Sequence, residues 1–279
     1  MIYPSRVTRA LAPRPSWRGR LIAAVLALAV AVGAVTAVAV IRDWLTPPPA
    51  PPVAVAAPED AVIQPAPLVL PETPRILVFG DSWTFGSAAS DPSLGYAYLL
   101  ADRLGAEVTV NGVRGSGYLK PGLDGGSFGE RVAALDPSLD PDLVILQGSI
   151  NDRRLYPAGY SEAVTAVWDA VAATYPEASV VILGPAPQVL PVEAATAQID
   201  DDLAALAAGR GWWYISPIDE EWITETNYDA VIDTGIGRDH PSTDGHAYLA
   251  DRVAEAVRTL GEGADVVADA PLNEDIVAP

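Results

Sequence analysis

The chain contains no cysteine, so disulfide bonds and thiolate metal sites are excluded from its stability and its chemistry. Basic residues are also scarce: 17 Lys and Arg residues stand against 36 Asp and Glu residues, for a formal net charge of −19. This surplus argues against nucleic acid as a partner, because the phosphate backbone favours clustered Lys and Arg. Acidic charge serves solubility, and it predicts repulsion of strongly anionic substrates within about a Debye length of ~8–10 Å.

Only two histidines are present, His240 and His246, and one short segment contains both. A serine hydroxyl is a weak nucleophile by itself and needs an adjacent base, which is usually a histidine. The candidate nucleophile is Ser82, which follows the apolar run 75–79 and therefore lies at the end of a predicted buried strand. A serine at such a position is also a common helix cap or turn residue, so the Gly-Asp-Ser motif alone is a weak signal.

Of the two histidines, His240 is the preferred base. Pro241 follows it and fixes the backbone there, which predicts a rigid loop. His246 is predicted in the first turn of an amphipathic helix, where packing or solvent exposure is the usual role of a side chain. The serine and the few histidines together indicate a serine esterase.

The N-terminus has the pattern of a membrane anchor. Residues 1–20 contain five arginines, and the uncharged stretch 21–41 is long enough to cross a hydrocarbon core of ~30 Å as a helix. The basic flank predicts a cytoplasmic N-terminus and a single-pass protein whose main domain lies outside the cytoplasm. A cleaved signal peptide, and hence a secreted protein, is the alternative.

The rest of the chain divides into three further segments. A Pro/Ala-rich linker covers residues 42–74, the predicted catalytic domain covers 75–262, and an acidic tail without periodicity, predicted to be disordered, covers 263–279.

Within the domain, short runs rich in Val, Ile and Leu alternate with helical patterns, which predicts an α/β sandwich with a mostly parallel sheet. The five predicted strands are Ile76–Phe79, Val108–Val110, Leu143–Leu146, Val180–Leu183 and Trp213–Ile215. The predicted helices are Tyr96–Leu104, Phe128–Leu135, Tyr160–Tyr175, Val192–Ala208 and Gly245–Leu260. Ligands bind beyond the carboxyl ends of such strands, where Ser82, residues 111–117 and residues 148–152 are expected to meet.

Two of these segments contain candidate donors for a developing negative charge. The backbone N–H of Gly115 and the side-chain amide of Asn151 follow the second and third strands, and preorganised donors stabilise an oxyanion. A flexible turn and an Asx-turn are the simpler roles of the same residues. Three aromatic residues flank the predicted site and suit either a substrate pocket or the core, namely Trp83, Phe85 and Tyr118.

The order Gly-Asp-Ser, a glycine turn, Asn-Asp and His-Pro-x-x-x-Gly-His resembles the SGNH (GDSL) hydrolase family over residues 75–260. The resemblance implies a flavodoxin-like three-layer α/β/α fold and acyl-enzyme chemistry. It also implies Ser82 as nucleophile, His240 as base, and an oxyanion hole formed by Ser82, Gly115 and Asn151. Neither a metal nor an organic cofactor is required.

Two positions depart from the family pattern. Ser149 replaces the glycine of Gly-x-Asn-Asp, and Gly237 replaces the aspartate that usually orients the catalytic histidine. Such a partner holds the imidazole in the correct tautomer and stabilises the imidazolium. The alternatives for this role are Asp239, Asp233, Asp244 or a backbone carbonyl.

The sequence therefore predicts a membrane-anchored extracytoplasmic serine esterase, monomeric, that acts on a small-molecule, lipid or glycan ester. An O-acyltransferase or deacetylase acting on cell-surface glycan uses the same site and is the first alternative. A catalytically decayed domain that binds glycan or lipid is the second, and Gly237 is the feature that favours it.

Overall fold

The computed structural model describes residues 65–148 and 150–268. The predicted cytoplasmic segment 1–20, the predicted transmembrane helix 21–41 and most of the linker lie outside these residues, as does the end of the predicted tail. Across the described ranges, no helix combines the length and the hydropathy needed to cross a bilayer.

A five-stranded sheet forms the centre of the domain, and all its strand pairs are parallel. The strand order is β2-β1-β3-β4-β5, which confirms the predicted parallel sheet. Side chains of β1 and β3 are almost wholly buried on both faces, as expected for apolar strands covered on two sides. The bounds are β1 Arg75–Gly80, β2 Glu107–Gly112, β3 Leu143–Gln147, β4 Ser179–Leu183 and β5 Trp213–Ile215.

Helices cover both faces of the sheet and complete the three layers. Their bounds are α1 Ser82–Phe85, α2 Tyr96–Leu104, α3 Phe128–Val132, α4 Tyr160–Thr174, α5 Ala194–Arg210, α6 Tyr228–Val231 and α7 Thr243–Ala268. Alternate residues of β1 divide the core: Ile76 and Val78 pack with α2 and α7. Leu77 and Phe79 pack with α3, α4 and α5 on the other face.

Several element bounds differ from the sequence prediction, and one element was not predicted. Helix α3 ends at Val132 instead of Leu135, because the chain tightens there: the N–H groups of Ala134 and Leu135 donate to carbonyls only three residues back. Helix α7 runs from Thr243 to Ala268 and is longer at both ends than the predicted Gly245–Leu260, since no proline interrupts the chain before Pro271. A small antiparallel hairpin was not predicted; it pairs β6 Ile232–Asp233 with β7 His240–Pro241.

The strand order brings the loops that carry the predicted site residues together at one edge of the sheet. Strand β1 lies between β2 and β3, so the segments that leave the carboxyl ends of these three strands are neighbours. Ser82 follows β1, Gly115 follows β2 and Asn151 follows β3. This convergence is the arrangement that ligand sites use in open α/β sheets.

Candidate active site

Ser82 and His240 lie in hydrogen-bond contact although 158 positions separate them in the chain. Ser82 is the first residue of α1, directly beyond β1, and only 6% of it is exposed. The distance from its Oγ to Nε2 of His240 is 2.9 Å, which is within the range needed for proton transfer. The structure therefore brings together the serine and the histidine that the sequence singles out.

Backbone carbonyls contact the other nitrogen of the His240 ring. Nδ1 lies 2.9 Å from the carbonyl oxygen of Gly237 and 3.0 Å from that of Arg238. With Nδ1 protonated, the ring donates to these oxygens and leaves Nε2 free to accept the proton of Ser82. Arg238 and Asp239 both adopt left-handed backbone conformations, with φ of 52° and 60°, and this turn precedes His240 directly.

The three alternative carboxylates do not take this role. Asp233 is paired with His240 across the hairpin, but its carboxylate accepts from the N–H of Gly235 at 2.9 Å. Asp244 is exposed in the first turn of α7, and the carboxylate of Asp239 makes no hydrogen bond to the ring among the described residues. Of the partners considered for His240, the geometry selects the backbone carbonyl.

Gly237 has no room for the side chain that the family pattern places there. A Cβ atom at this position would lie 2.6 Å from Cβ and 2.7 Å from Cγ of Asp233, and 2.8 Å from Cβ of Ala88. Real Cβ atoms do not approach other atoms so closely. The packing around the hairpin thus excludes an aspartate at position 237.

The three predicted oxyanion donors line one open groove with a volume of about 550 Å³. The N–H groups of Ser82 and Gly115 donate to no other group in the described part of the chain. Gly115 has a φ of 72°, a conformation that favours glycine. The amide nitrogen of Asn151 donates to the carbonyl of Ser116 at 3.0 Å and, more weakly, to Oδ2 of Asp81 at 3.3 Å.

Asp81 is a fully buried carboxylate directly beneath these donors. Its Oδ1 accepts the N–H of Trp83 at 2.9 Å and thereby caps α1, and its Oδ2 contacts Asn151. Burial raises the pKa of Asp81 to about 6, although the hydrogen bond from Trp83 and the charge of His240 act in the opposite direction. The side chain therefore positions both the nucleophile turn and the oxyanion amide.

Arg131 is a buried cation that sequence reasoning missed. Its guanidinium donates to the carbonyl of Gly80 at 2.9 Å and to Oγ of Ser116 at 2.7 Å, and it also contacts Asn111. Burial lowers the pKa of Arg131 to about 10, against the favourable charge of Asp81. The sequence does contain a signal for it: Arg131 stands three residues after Phe128 and therefore lies on the same, apolar face of α3.

Asp152 fixes the loop that continues from Gly115. Its carboxylate accepts three consecutive backbone N–H groups at 2.8–3.1 Å, those of Tyr118, Leu119 and Lys120. A side chain at Gly117 would collide with this carboxylate, since a Cβ there would lie 2.5 Å from both carboxylate oxygens. Of the Asn-Asp pair, Asn151 thus lines the groove and Asp152 fixes the loop beside it.

The aromatic residues around the site divide between groove and core. Phe85 lines the groove, whereas Trp83 and Tyr118 are 4% and 3% exposed and belong to the two core clusters.

His246 is wholly buried and does not reach Ser82. Its Nδ1 accepts the backbone N–H of Tyr96 at 3.2 Å, and its Nε2 donates to the carbonyl of Ser87 at 3.0 Å. Burial lowers the pKa of His246 to about 4, so the ring stays neutral at ordinary pH. This histidine ties α7 to α2 and to the loop after α1.

The groove brings together a serine–histidine pair, backbone N–H groups that are free to donate, and a side-chain amide. This is the arrangement of a serine hydrolase, here on a three-layer α/β fold. Residues 78–248 match the GDSL-like lipase/acylhydrolase family, and the chain belongs to this family.

The chain is also similar to a relative in sequence and to solved structures in fold. The chain is 30% identical over 194 residues to GDSL lipase Rv0518 of Mycobacterium tuberculosis, which covers 65% of this chain and 80% of the relative. The inhibitor-bound aryl esterase of M. smegmatis shares the fold with a TM-score of 0.54 and 21% identity, over 67% of this chain and all of the esterase. Est24, a carbohydrate acetylesterase from Sinorhizobium meliloti, has a TM-score of 0.53 and 18% identity over the same shares.

Proposed function

We propose that this protein is a serine hydrolase of carboxylic esters that works through an acyl-enzyme. The observation that carries the proposal is the contact of 2.9 Å between Ser82 Oγ and His240 Nε2 at the wall of an open groove. The membership of the GDSL-like family and the esterase names of its relatives support it.

In the first half of the reaction, His240 Nε2 takes the hydroxyl proton of Ser82 while the Ser82 oxygen bonds to the ester carbonyl carbon. The carbonyl oxygen becomes an oxyanion, which accepts from the free N–H groups of Ser82 and Gly115. Asn151 is the third donor: the oxyanion replaces Asp81 as the acceptor of its weaker hydrogen bond. His240 then protonates the leaving alcohol oxygen as the ester bond breaks.

In the second half, water takes the place of the alcohol. His240 removes a proton from the water, whose oxygen attacks the acyl carbon of the Ser82 ester. Collapse of the second tetrahedral intermediate breaks the bond to Ser82, and His240 returns the proton to the serine oxygen. The carboxylic acid leaves, and the enzyme regains its starting state.

The turnover that we expect depends on the backbone carbonyls that accept the hydrogen bond from His240 Nδ1. A neutral carbonyl orients the imidazole as a carboxylate does, but it stabilises the imidazolium less. Loss of an optimised carboxylate lowers turnover by up to ~10⁴ in a complete triad, so we expect turnover below that of triad enzymes.

The test is labelling with a fluorophosphonate probe together with hydrolysis of p-nitrophenyl acetate. We expect labelling and turnover in the unmodified protein and neither in Ser82→Ala. Ser138→Ala removes a remote serine from a 3₁₀ turn and serves as the matched control, with labelling retained. Absence of labelling and of turnover above the Ser82→Ala level would refute the proposal and favour a domain that only binds its ligand.

Acyl transfer to a glycan hydroxyl instead of water is a second candidate. The open groove supports it, because the acyl-enzyme at Ser82 is reachable by an acceptor larger than water. Turnover in the presence of added sugar acceptors distinguishes the two, since transfer yields an acylated sugar in place of free acid.

We also propose that the domain lies outside the cytoplasm, held by a membrane anchor at residues 21–41. The support is the basic segment before this uncharged stretch and the Pro/Ala-rich linker after it. Protease treatment of intact cells tests it, with the expectation that the domain is digested from the outside. Protection of the domain in intact cells would refute the placement.

A further inference from the structure

A second cavity of about 390 Å³ adjoins the catalytic groove. Asn151 and Gln188 line both spaces, so the cavity opens from the groove at the oxyanion amide. Its lining consists of Lys120, Asn151, Arg153, Arg154, Leu155 and Gln188.

All three charged residues of this cavity are cations, in a chain whose formal net charge is −19. Within residues 65–148 and 150–268, Lys120 and Arg154 form no ion pair. Arg153 contacts Glu193 at 2.6 Å and donates to the carbonyl of Ile150, so it is partly neutralised. The cavity therefore holds two cationic groups without a protein counter-charge, and such a concave positive surface attracts anions.

Lys120 places one of these charges near Gly115. Its Nζ lies 3.8 Å from the position that a Cβ on Gly115 would occupy, and Gly115 carries a candidate oxyanion donor. The backbone of Lys120 is fixed, because its N–H donates to the carboxylate of Asp152 at 3.0 Å. A ligand group held by Lys120 is thus close to a candidate oxyanion donor.

The groove itself has an apolar component. Its lining includes six apolar side chains, of which Leu123 and Ile236 are strongly exposed: Phe85, Ala88, Ala89, Pro92, Leu123 and Ile236. Arg114, also in the groove, is paired with Asp124. The groove therefore offers apolar side chains to the substrate, and the adjoining cavity offers cationic ones.

We propose that the cationic cavity is a subsite for an anionic group, a carboxylate or a phosphate, on the ester substrate. This inference rests on the proposed function, and it names the substrate class of the same site. It also limits the expectation from bulk charge: acidic residues predict repulsion of anions, but the charged residues that line the cavity beside the groove are all positive. Charge-assisted hydrogen bonds from Lys and Arg are the interactions that bind such groups.

The experiment compares kcat/KM for anionic esters and neutral esters of similar shape. The acyl-side pair is p-nitrophenyl hemiglutarate and p-nitrophenyl valerate, and the alcohol-side pair is 4-acetoxybenzoate and 4-acetoxybenzamide. We expect the anionic ester of one pair to be favoured by about threefold to tenfold. The pair that shows the preference tells which side of the ester faces the cavity.

Variants then assign the preference to the cavity. Arg154→Gln and Lys120→Gln are each expected to lower the anionic-to-neutral ratio by about threefold or more. Arg154→Lys keeps the charge and is expected to retain most of the preference. Arg258→Gln removes one positive charge from α7 and is the matched control, expected to leave the ratio unchanged.

The outcomes separate this inference from the proposed function. Turnover of the neutral esters with no preference for either anionic ester would overturn the subsite while the esterase proposal stands. A preference that both Gln variants leave unchanged would also overturn it. No turnover of any ester and no labelling of Ser82 would refute the esterase proposal, and the subsite with it.

Discussion

Restoring the family aspartate at position 237 is expected to impair this protein. In Gly237→Asp, the new Cβ would lie 2.6–2.8 Å from atoms of Asp233 and Ala88. Two of these contacts are to Cβ atoms, which are fixed to the backbone and cannot rotate away. The hairpin that carries His240 must therefore shift to admit the side chain.

The magnitude follows from two effects. Overpacking of a filled site typically destabilises a protein by about 1–3 kcal/mol. A displacement of about 1 Å in a catalytic group lowers turnover by about 10²-fold, and the carbonyls that hold His240 belong to the displaced segment. The new carboxylate has no established route to Nδ1, because the two carbonyl oxygens already occupy that side of the ring.

The measurements are urea unfolding and kcat/KM for p-nitrophenyl acetate. Gly237→Ala introduces the same Cβ without a charge, so it is expected to lose stability and activity as well. The exchange Gly237→Asp with Asp233→Gly removes two of the three short contacts and is expected to recover part of both. An increase in kcat/KM in Gly237→Asp alone, without loss of stability, would refute the reasoning.

Three further predictions concern the charged groups around the site. Asp239→Asn is expected to leave kcat/KM within about twofold, because carbonyls and not this carboxylate contact the ring; a larger loss contradicts the carbonyl assignment. The pKa of His246 is about 4 in the folded state and 6.5 when unperturbed, so the unfolded state binds the proton first as the pH falls. Between pH 7 and pH 5, the wild type is therefore expected to lose about 2 kcal/mol of unfolding free energy from this group. Urea unfolding at both pH values should show that His246→Gln removes this loss, and an unchanged slope contradicts it. The pKa of Asp81, at about 6, lies above its ordinary 3.8, so the folded state binds the proton first as the pH falls. The wild type is therefore expected to gain about 1 kcal/mol of unfolding free energy from this group over the same interval, and Asp81→Asn should remove the gain. A variant with the wild-type pH dependence would show that Asp81 is not the source.

The sheet was predictable because its strands are short apolar runs between helical patterns. Every predicted strand lies within an observed one, and the alternation of β1 between two core clusters follows from the two-residue period of a strand. The hairpin β6–β7 was not predictable in this way, since strands of two residues have no period to detect. Its position depends on pairing with residues seven and nine positions away and on packing against the rest of the domain.

The candidate site was predictable where scarcity or spacing limited the choice. With two histidines in the chain, His240 could be named before its distance to Ser82 was known. Arg131 and the Lys120–Arg154 cavity could not be found from bulk composition, because a net charge of −19 averages over the whole surface. A local excess of positive charge appears only when the fold places residues from separate loops around one space.

The acceptor for His240 explains why a motif that lacks a side chain does not by itself indicate a decayed site. Every residue has a carbonyl, so no residue type marks the one that binds Nδ1. What selects it is backbone conformation: the left-handed turn at Arg238 and Asp239 directs the oxygens of Gly237 and Arg238 toward the ring. Gly237 thus replaces the expected aspartate in position and also supplies an acceptor, through a backbone atom that a sequence comparison cannot register.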